Sequence, residues 1–493
     1  MAIKEEIVIF ADEAPLTMEH IYSLKTTIMK KTFLWVVMLA LTLTGCTTVP
    51  NDKVPNFPWM KEVGAKLFPT SERIYNVADY GAIGDAVTLC TKQIQRAIDE
   101  AEASGGGIVT FEPGIYLTGS IFLGNNVNLC IPKGTTLIGS QDIRDYQKIP
   151  TRVAGIEMEW PAALVNIIGK KNAAITGDGI IHGKGKVFWD KYWEMRKDYT
   201  PKGLRWIVDY DCERPRGILI CDSEQVTVRD IVLYQPGFWS LHILYSHHVT
   251  VDNIIISNNI EGHGPSTDGI DIDSSEYILV QNSLINCNDD NFCLKAGRDA
   301  DGLRVNRPCQ YVVIRDCEAG HGGGMFTCGS ETSGGIRHIV AYRMKGVETT
   351  CGIRFKSTCQ RGGAIEDIHL YDIEMSGVKL PFVVDLNWNP AYSTSLLPEG
   401  YDPETIPSHW KTMLLPVSLE KGTPIFRNIH MKRVNATDAS SCIQAIGIEQ
   451  SPLIGFTFDQ VKIQGKKAGR IEHVQEWETE GLTIDAEDGK AIL

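Results

Sequence analysis

The chain has 493 residues, of which 43% are hydrophobic and 22% are charged, a composition that supports a substantial core and excludes wholesale disorder. Its formal net charge of −13 excludes a general nucleic-acid binder, which needs a basic surface. Because this overall field repels polyanions, any site for a polyanionic ligand must be locally basic.

Residues 1–46 are predicted to contain a lipoprotein-type export signal. A short basic start at 29–31 precedes an apolar run at 33–44, which fits a signal-peptide core and is too short to span a bilayer comfortably. The four residues that end at Cys46 (Leu-Thr-Gly-Cys) resemble a bacterial lipobox. We therefore expect lipidation of Cys46 and location in the periplasm or outer membrane of a Gram-negative bacterium, a signal peptide with a chance cysteine being the alternative. Residues 1–28 are expected to lie upstream of the true start codon.

The remaining twelve cysteines form no CxxC pair and no Cys/His cluster with zinc spacing. We expect most of them to be small buried hydrophobic residues, although an exported protein could form one or two disulfides. No phosphate-binding glycine loop is present either. The sequence therefore predicts no metal, nucleotide or redox cofactor.

A single domain is predicted over 74–493, after a linker at 47–73. The stretch 91–104 is amphipathic, with Ile94, Ala97, Ile98 and Ala101 on one face, and three glycines end it. One helix followed by many short strands indicates an N-terminal cap on a stack of repeats.

Short β-branched runs with turn residues after them begin at positions 226, 249, 278, 312 and 336, at separations of 23, 29, 34 and 24 residues. Periods of 20 to 50 residues indicate a repeat architecture. The sequence therefore predicts an all-β fold, a single-stranded right-handed parallel β-helix, with an all-β sandwich as the alternative. Seven prolines within 379–424 predict a long excursion from the coils, of the kind that often forms a wall or lid.

Four polar clusters follow one another at intervals of about one coil: 266–271 (STDGID), 289–290 (DD), 320–322 (GHG) and 354–356 (RFK). Equivalent positions on successive coils stack about 4.8 Å apart, so these side chains are expected to line one face. Hydrolysis of a glycosidic bond needs an acid and a base, for which the carboxylates of Asp268, Asp289 and Asp290 are candidates. A separation of roughly 6.5–9.5 Å between the two groups predicts inversion of configuration.

The basic residues supply the local positive charge that the composition requires. Arg354 and Lys356 are two residues apart, so they point to the same side of a strand and could hold a uronate carboxylate. Lys295 is expected to add positive charge to the cleft, and His321 to orient the acid. Asp271 and Asp273 are interpreted as structural turn residues.

These clusters resemble the polygalacturonase family, glycoside hydrolase family 28, whose pattern is Asn-Thr-Asp, Asp-Asp, Gly-His-Gly and Arg-Ile-Lys. The resemblance covers roughly residues 74–465 and implies a pectin-lyase-like solenoid. It also implies that Asp290 is the general acid, that Asp268 and Asp289 activate water, and that His321 supports the acid. Arg354 and Lys356 would bind substrate. The chain departs from the pattern at Ser266, which replaces Asn, and at Phe355, which replaces Ile and is expected to point inward.

The resemblance implies an inverting hydrolase of α-1,4-galacturonosidic linkages in homogalacturonan or rhamnogalacturonan-derived oligosaccharides. We expect exo action, because the excursion at 379–424 is large enough to block one end of a groove, and we expect a monomer. An endo-polygalacturonase or a rhamnogalacturonan hydrolase remains an alternative on the same site. A calcium-dependent pectate lyase, with the aspartates as calcium ligands, and a non-catalytic carbohydrate-binding β-helix are the other two alternatives.

Overall fold

The computed structural model describes residues 54–490, so Cys46 and its export signal lie outside the described residues. Short parallel strands from successive coils pair side by side throughout this region. Parallel crossovers are almost always right-handed, and this chain is a right-handed parallel β-helix, which confirms the predicted fold.

Twenty-one strands form the largest hydrogen-bonded sheet, which supplies two sides of the coils. They are β1 (Ile74–Asn76), β2 (Asp85–Leu89), β3 (Gly107–Thr110), β4 (Gly114–Thr118), β6 (Val127–Cys130), β7 (Thr135–Gly139), β11 (Ala174–Thr176), β12 (Ile180–His182), β14 (Glu224–Arg229), β15 (Val232–Tyr234), β17 (His247–Asp252), β18 (Ile255–Ser257), β20 (Glu276–Gln281), β21 (Leu284–Asn286), β23 (Cys309–Ala319), β25 (Ile336–Val347), β27 (Ala364–Ser376), β29 (Ile425–Ala439), β31 (Leu453–Gly465), β33 (Val474–Gln475) and β34 (Leu482–Ala486).

Eleven strands form a second parallel sheet, called here the site sheet, in which each strand pairs with those of the preceding and following coils. They are β5 (Ile121–Phe122), β10 (Val165–Ile168), β13 (Ile218–Cys221), β16 (Leu241–Leu244), β19 (Ile270–Asp273), β22 (Phe292–Lys295), β24 (Gly324–Cys328), β26 (Cys351–Lys356), β28 (Leu380–Asp385), β30 (Ile443–Ile446) and β32 (Gly469–Glu472).

The other elements are an antiparallel hairpin, seven α-helices and five short 3₁₀ turns within residues 54–490. The hairpin pairs β8 (Lys148–Val153) with β9 (Ile156–Pro161). The helices are α1 (Thr91–Ala103), α2 (Lys186–Tyr199), α3 (Val208–Asp211), α4 (Asp299–Val305), α5 (Pro390–Ser393), α6 (Ser408–Met413) and α7 (Leu419–Gly422), and the turns are Pro58–Lys61, Val77–Tyr80, Ile143–Asp145, Thr200–Lys202 and Arg205–Ile207. Helix α1 buries the predicted apolar face against the core, while its role as a cap stays a prediction.

The register of the coils follows the repeats seen in the sequence. Val226 pairs with Val249, Val249 with Ile278, and Ile278 with Val312, so four predicted strand starts stack in one column. On the next coil, Ile339 is the residue that pairs with Val312. The predicted start at 336 is three residues early because β25 extends further toward its N-terminus, where it pairs with Cys309.

Part of the predicted linker packs on the outside of the coils. The ring of Phe57 lies 4.8 Å from that of His369, and the ring of Trp59 lies 5.6 Å from that of Tyr311. The backbone N–H of Gly64 donates to the carbonyl of Tyr277. Residues 57–64 therefore run across several coils.

The long excursion begins later than the sequence predicts. Leu380–Asp385 is strand β28, a regular member of the site sheet that pairs with β26. Pro381 was counted as evidence against a strand, yet it lies inside this one. The departure from the coils is therefore confined to residues 386–424, which hold α5, α6 and α7.

One apolar core runs through the interior of the coils and contains a ladder of aromatic rings. Phe355 is fully buried, and its ring lies 6.4 Å from that of Phe326 and 6.3 Å from that of Phe382. The expectation that Phe355 points inward is confirmed. Its neighbours Arg354 and Lys356 face the opposite side, because successive side chains of a strand alternate.

We predict that Phe355→Ala lowers the free energy of unfolding by about 3–5 kcal/mol, because it leaves a cavity in the ladder. Phe355→Ile, which restores the residue of the family pattern, should cost clearly less because it refills part of that volume. Equilibrium unfolding in guanidinium chloride measures both variants. A loss below about 1 kcal/mol in the alanine variant would show that the ladder does not hold the site sheet in place.

Candidate active site

Carboxylates from two adjacent coils meet at one end of the site sheet. Ile270 pairs with Phe292, so Asp268 and Asp290, each two residues upstream, occupy equivalent positions on neighbouring coils. Their nearest carboxylate oxygens lie within 4.8 Å of each other. Asp289 precedes Asp290 and lines the same cavity as Asp268. The structure thus brings together the three aspartates that the sequence singled out.

The predicted cationic pair contacts the buried Asp290. Lys356 Nζ lies 2.7 Å from Oδ2 of Asp290, and Arg354 Nη1 lies 3.3 Å from Oδ1. The hydroxyl of Thr327 donates to the same Oδ1 at 2.9 Å. The carboxylate of Asp290 is therefore fully buried and contacts three donors.

Lys295 is a second buried cation at the site, as the sequence predicts. Its ammonium lies 3.4 Å from a carboxylate oxygen of each of Asp268, Asp271 and Glu331. It also lies 4.7 Å from the centre of the Trp239 ring. Glu331 was not anticipated from the sequence, and it reaches the site because its segment follows β24 directly.

The side-chain pKa values of the three aspartates are shifted in different directions. Burial and the neighbouring Asp271 raise the pKa of Asp268 well above its ordinary value, and burial and Asp290 raise that of Asp289. Burial alone would also raise the pKa of Asp290, but Lys356 and Arg354 hold it below its ordinary value. Of these three aspartates, Asp290 is the one whose ionised form its neighbours favour.

The interpretation of Asp271 as a structural turn residue is wrong. It lies in β19, is fully buried beside Lys295, and neither of its carboxylate oxygens accepts a hydrogen bond within residues 54–490. Burial raises its pKa to about 8. The alternation of β19 explains the position, because Ile270 and Ile272 face the core and Asp271 and Asp273 face the cleft side.

Asp273 also lies in β19 and not in a turn, although its role is structural, as expected. Its carboxylate pairs with Arg152 at 2.9 Å and lies 3.4 Å from Nε2 of His242, and all three side chains are buried. Although burial opposes it, this pairing lowers the pKa of Asp273 to about 2. Asp273 therefore ties the hairpin residue Arg152 to the coils.

His321 is not joined to the aspartates by any hydrogen bond or ion pair in the described part of the chain. Its ring nitrogen Nε2 lies 3.5 Å from a carboxylate oxygen of Glu348, and its side chain is 46% exposed. It lies in the turn between β23 and β24 rather than on a strand of the site sheet. The role that the resemblance implies for His321 has no contact to support it in this structure.

Segments outside the coils close the cavity above the aspartates. The lining includes Ala154 from the hairpin, Arg205 and Asp209 from the segment after α2, and Trp388 and Tyr392 from the excursion. The sequence predicts the excursion as a wall or lid, whereas it gives no such role to the hairpin or to the segment after α2. The one sequence signal for the wall formed by the segment after α2 is the high density of aromatic residues in 188–210.

The aspartates are a poor calcium site. Asp268, Asp290 and Cys293 offer two oxygens and a sulfur within 4.8 Å, but calcium binds oxygen ligands, and burial raises the pKa of the Cys293 thiol well above its ordinary value. Lys356 already contacts Asp290, and Lys295 already contacts Asp268. A calcium ion would lie beside these positive charges, which argues against the pectate-lyase alternative.

Comparison with known proteins agrees with this geometry. The sequence profile of Glycosyl hydrolases family 28 matches residues 127–400, a range that contains all four polar clusters. The chain belongs to this glycoside hydrolase family. A "Probable polygalacturonase" of Vitis vinifera is 27% identical over 399 residues, which cover 79% of this chain and 74% of that protein.

Two bacterial proteins extend the similarity. An "Exo-poly-alpha-D-galacturonosidase" of Dickeya chrysanthemi is 24% identical over 455 residues, covering 84% of this chain and 71% of that protein. The crystal structure of a hyperthermoactive exopolygalacturonase from Thermotoga maritima superimposes with a TM-score of 0.73 at 26% identity, covering 87% of this chain and 95% of that one. The family 28 fold therefore extends over nearly the whole described region.

The departure of this family 28 chain at Ser266 has a structural counterpart. The hydroxyl of Ser266 donates to Oδ1 of Asp209 at 2.7 Å, and both residues line the cavity. Asp209 comes from the segment after α2 and not from the coils. The serine that replaces Asn thus forms a hydrogen bond to the segment after α2, which lines the cavity from outside the coils.

We predict opposite pH effects for two neighbouring aspartates. The raised pKa of Asp271 means that its protonated form stabilises the fold below about pH 4, and that this stabilisation is lost as pH rises through about 8. Asp271→Asn should therefore raise Tm relative to the parent more at pH 8 than at pH 5. Thermal unfolding followed by circular dichroism at both pH values measures the difference.

Asp273→Asn is the matched control for this prediction. The lowered pKa of Asp273 means that its charged form stabilises the fold above about pH 4, and that this stabilisation is lost as pH falls through about 2. At pH 7 this variant should lower Tm. A change in Tm that is equal at pH 5 and pH 8 for Asp271→Asn would contradict the assignment of a buried proton to Asp271.

Proposed function

We propose that this protein is an exo-acting, inverting hydrolase of α-1,4-galacturonosidic linkages in pectin. The observation that carries the proposal is the set of three carboxylates on adjacent coils, with Arg354 and Lys356 in direct contact with Asp290. Carboxylates provide the acid and base that glycoside hydrolysis requires, and the cations provide a site for a uronate.

Three aspartates divide the chemistry in this proposal. Asp290 protonates the leaving glycosidic oxygen, as the family resemblance implies. Asp268 and Asp289 line the cavity and activate the water that attacks the sugar. Lys295 contacts Asp268 and stabilises its charge when the carboxylate ionises.

The choice of a uronate follows from the charges at the cavity. Arg354 presents a planar guanidinium that can bind a carboxylate through two hydrogen bonds, and Lys356 adds a second positive charge beside it. The ring of Trp388 lies 4.4 Å from Lys356 Nζ and 5.7 Å from the Arg354 guanidinium. A sugar ring held by these cations would lie next to an aromatic face.

Exo action is supported by the walls of the cavity. Trp388 and Tyr392 belong to the excursion at 386–424, and they line the cavity together with Arg205 from the segment after α2. Walls from two segments outside the coils should admit a chain terminus and hinder a continuous polymer. The relatives from Dickeya chrysanthemi and Thermotoga maritima are named as exo-acting enzymes.

We predict that the mature protein releases saturated monogalacturonate from polygalacturonate from the start of the reaction, without added calcium. Chromatography of early products measures this, and NMR during the first turnovers should show the β-anomer, since inversion converts an α-linkage.

Asp290→Asn should lower kcat by a factor on the order of 10²–10⁴ by removing the proton donor. Asp316→Asn, a surface ion-pair partner of Arg343, is the control and should retain activity.

Different reaction products, or an active Asp290→Asn variant, would each contradict one part of the proposal. A ladder of oligomers would keep the hydrolase and overturn the exo assignment. An unsaturated product that absorbs in the ultraviolet would establish elimination instead of hydrolysis. Near-normal activity of Asp290→Asn would overturn its role as the acid.

We also propose that the protein is exported and lipid-anchored through Cys46. None of the helices formed by residues 54–490 combines the length and hydropathy of a membrane span. Palmitate labelling in a Gram-negative host should mark the parent protein and not Cys46→Ser, and the variant should leave the membrane fraction. Cys359→Ser is the matched control and should still be labelled. An unlabelled parent protein would contradict the lipid anchor.

A further inference from the structure

Arg205 stands out among the cavity residues because the proposed chemistry gives it no role. It begins the short turn Arg205–Ile207, in a segment between strands β12 and β13 that is separate from the four polar clusters. Its side chain is 16% exposed and lines the same cavity as Asp268, Asp289 and Lys356.

The nearby Asp209 pairs with Arg205 but also has other partners. Its Oδ1 accepts hydrogen bonds from Arg214 Nη2 at 3.1 Å and from Ser266 Oγ at 2.7 Å, and its Oδ2 lies 3.3 Å from the Tyr192 hydroxyl. The buried Arg214 already neutralises its charge. Arg205 is therefore one of two cations that pair with this carboxylate.

Part of the Arg205 guanidinium remains available to a ligand. Only Nη1 has a hydrogen-bond partner within residues 54–490, which is Oδ2 of Asp209 at 3.0 Å. The guanidinium lies 5.0 Å from the centre of the Tyr392 ring, which fixes its orientation. A preorganised arginine with free N–H groups in a cavity is suited to a carboxylate.

The aromatic residues of the excursion connect Arg205 to the other cationic group. The Tyr392 ring lies 5.7 Å from that of Trp388, and Trp388 lies 4.4 Å from Lys356 Nζ. Arg205 and Lys356 therefore lie at the two ends of a short row of rings, and Asp268 and Asp289 line the same cavity. Two cations that line one cavity can bind two carboxylates of the same oligosaccharide.

We propose that Arg205 binds the carboxylate of the terminal uronic acid on the non-reducing side of the scissile bond, and that it makes the enzyme specific for a charged terminus. The inference rests on the proposed function and adds a second carboxylate site to it. Ser266 contributes indirectly, because its hydroxyl holds Asp209, which in turn orients Arg205.

Arg205→Gln tests the proposal with two substrates. Digalacturonate and its analogue with a methyl ester on the non-reducing sugar differ in the charge that Arg205 would bind and in one added methyl group. The parent enzyme should prefer the charged substrate at least tenfold in kcat/KM. The variant should lose most of this preference, through KM more than through kcat. An unchanged ratio between the two substrates would overturn the proposal.

Two further variants separate binding from folding. Arg304→Gln is the control, because Arg304 also pairs with carboxylates, Glu157 and Asp301, but is not part of the cavity lining. It should leave the substrate preference unchanged. Arg205→Lys keeps the charge and should retain the preference with a raised KM, so a glutamine variant that fails to fold leaves the proposal testable.

A binding measurement separates this inference from the proposed function. Monogalacturonate should raise the Tm of the parent protein and of Arg304→Gln, and should do so much less for Arg205→Gln. Equal stabilisation of all three would overturn the role of Arg205 even if the enzyme releases galacturonate. Stabilisation that depends on Arg205, without any cleavage of polygalacturonate by the parent, would keep this site and reject the proposed hydrolysis.

Discussion

The structure of the site depends on the repulsion between carboxylates that the stacked coils force together. Parallel strands repeat about every 4.8 Å, so aspartates at equivalent positions of adjacent coils cannot separate. Two like charges about 5 Å apart repel by about 3 kcal/mol at an effective dielectric constant of 20. Asp268 and Asp290 meet at this spacing, and Asp271 adds a third buried carboxyl. The fold must therefore either neutralise these groups with cations or keep some of them protonated.

The site neutralises one carboxylate with cations and favours the protonated form of others. Lys356 and Arg354 neutralise Asp290, whereas Asp268 and Asp271 share the single ammonium of Lys295 and have raised pKa values. The same regularity that creates the repulsion places the cations, because the residues that precede Lys295 and Lys356 both pair with Cys328. Lys295 and Lys356 thus occupy one column of the site sheet, in which Asp273 and Asp385 are their neighbours on the adjoining coils.

The sequence predicts the site residues whose positions follow from the coil repeat. It does not predict those on segments that leave the coils. Spacings close to one coil were sufficient to bring Asp268, Asp290 and Lys356 together. Asp271 was missed because turn chemistry was weighed above the alternation of a strand, although Ile270 and Ile272 on either side of it indicate a strand. Arg205 could not be placed, since its segment follows no period and approaches the aspartates only through packing against the coils. His321 shows the converse, because a family motif predicted a contact that the turn between β23 and β24 does not make here.

The lowered pKa of Asp290 is compatible with the acid role proposed for it once the charge of the substrate is considered. The cations that hold this carboxyl ionised in the free protein are the same two that are available to a uronate. A substrate carboxylate that binds Lys356 and Arg354 takes up part of their charge and adds a negative charge close to Asp290, and both effects raise the pKa of that carboxyl. Binding also excludes water and strengthens the remaining repulsion from Asp289. Under the proposed function, binding of a charged sugar thus favours the proton that Asp290 must donate, which would couple recognition of the uronate to the chemistry at the adjacent bond.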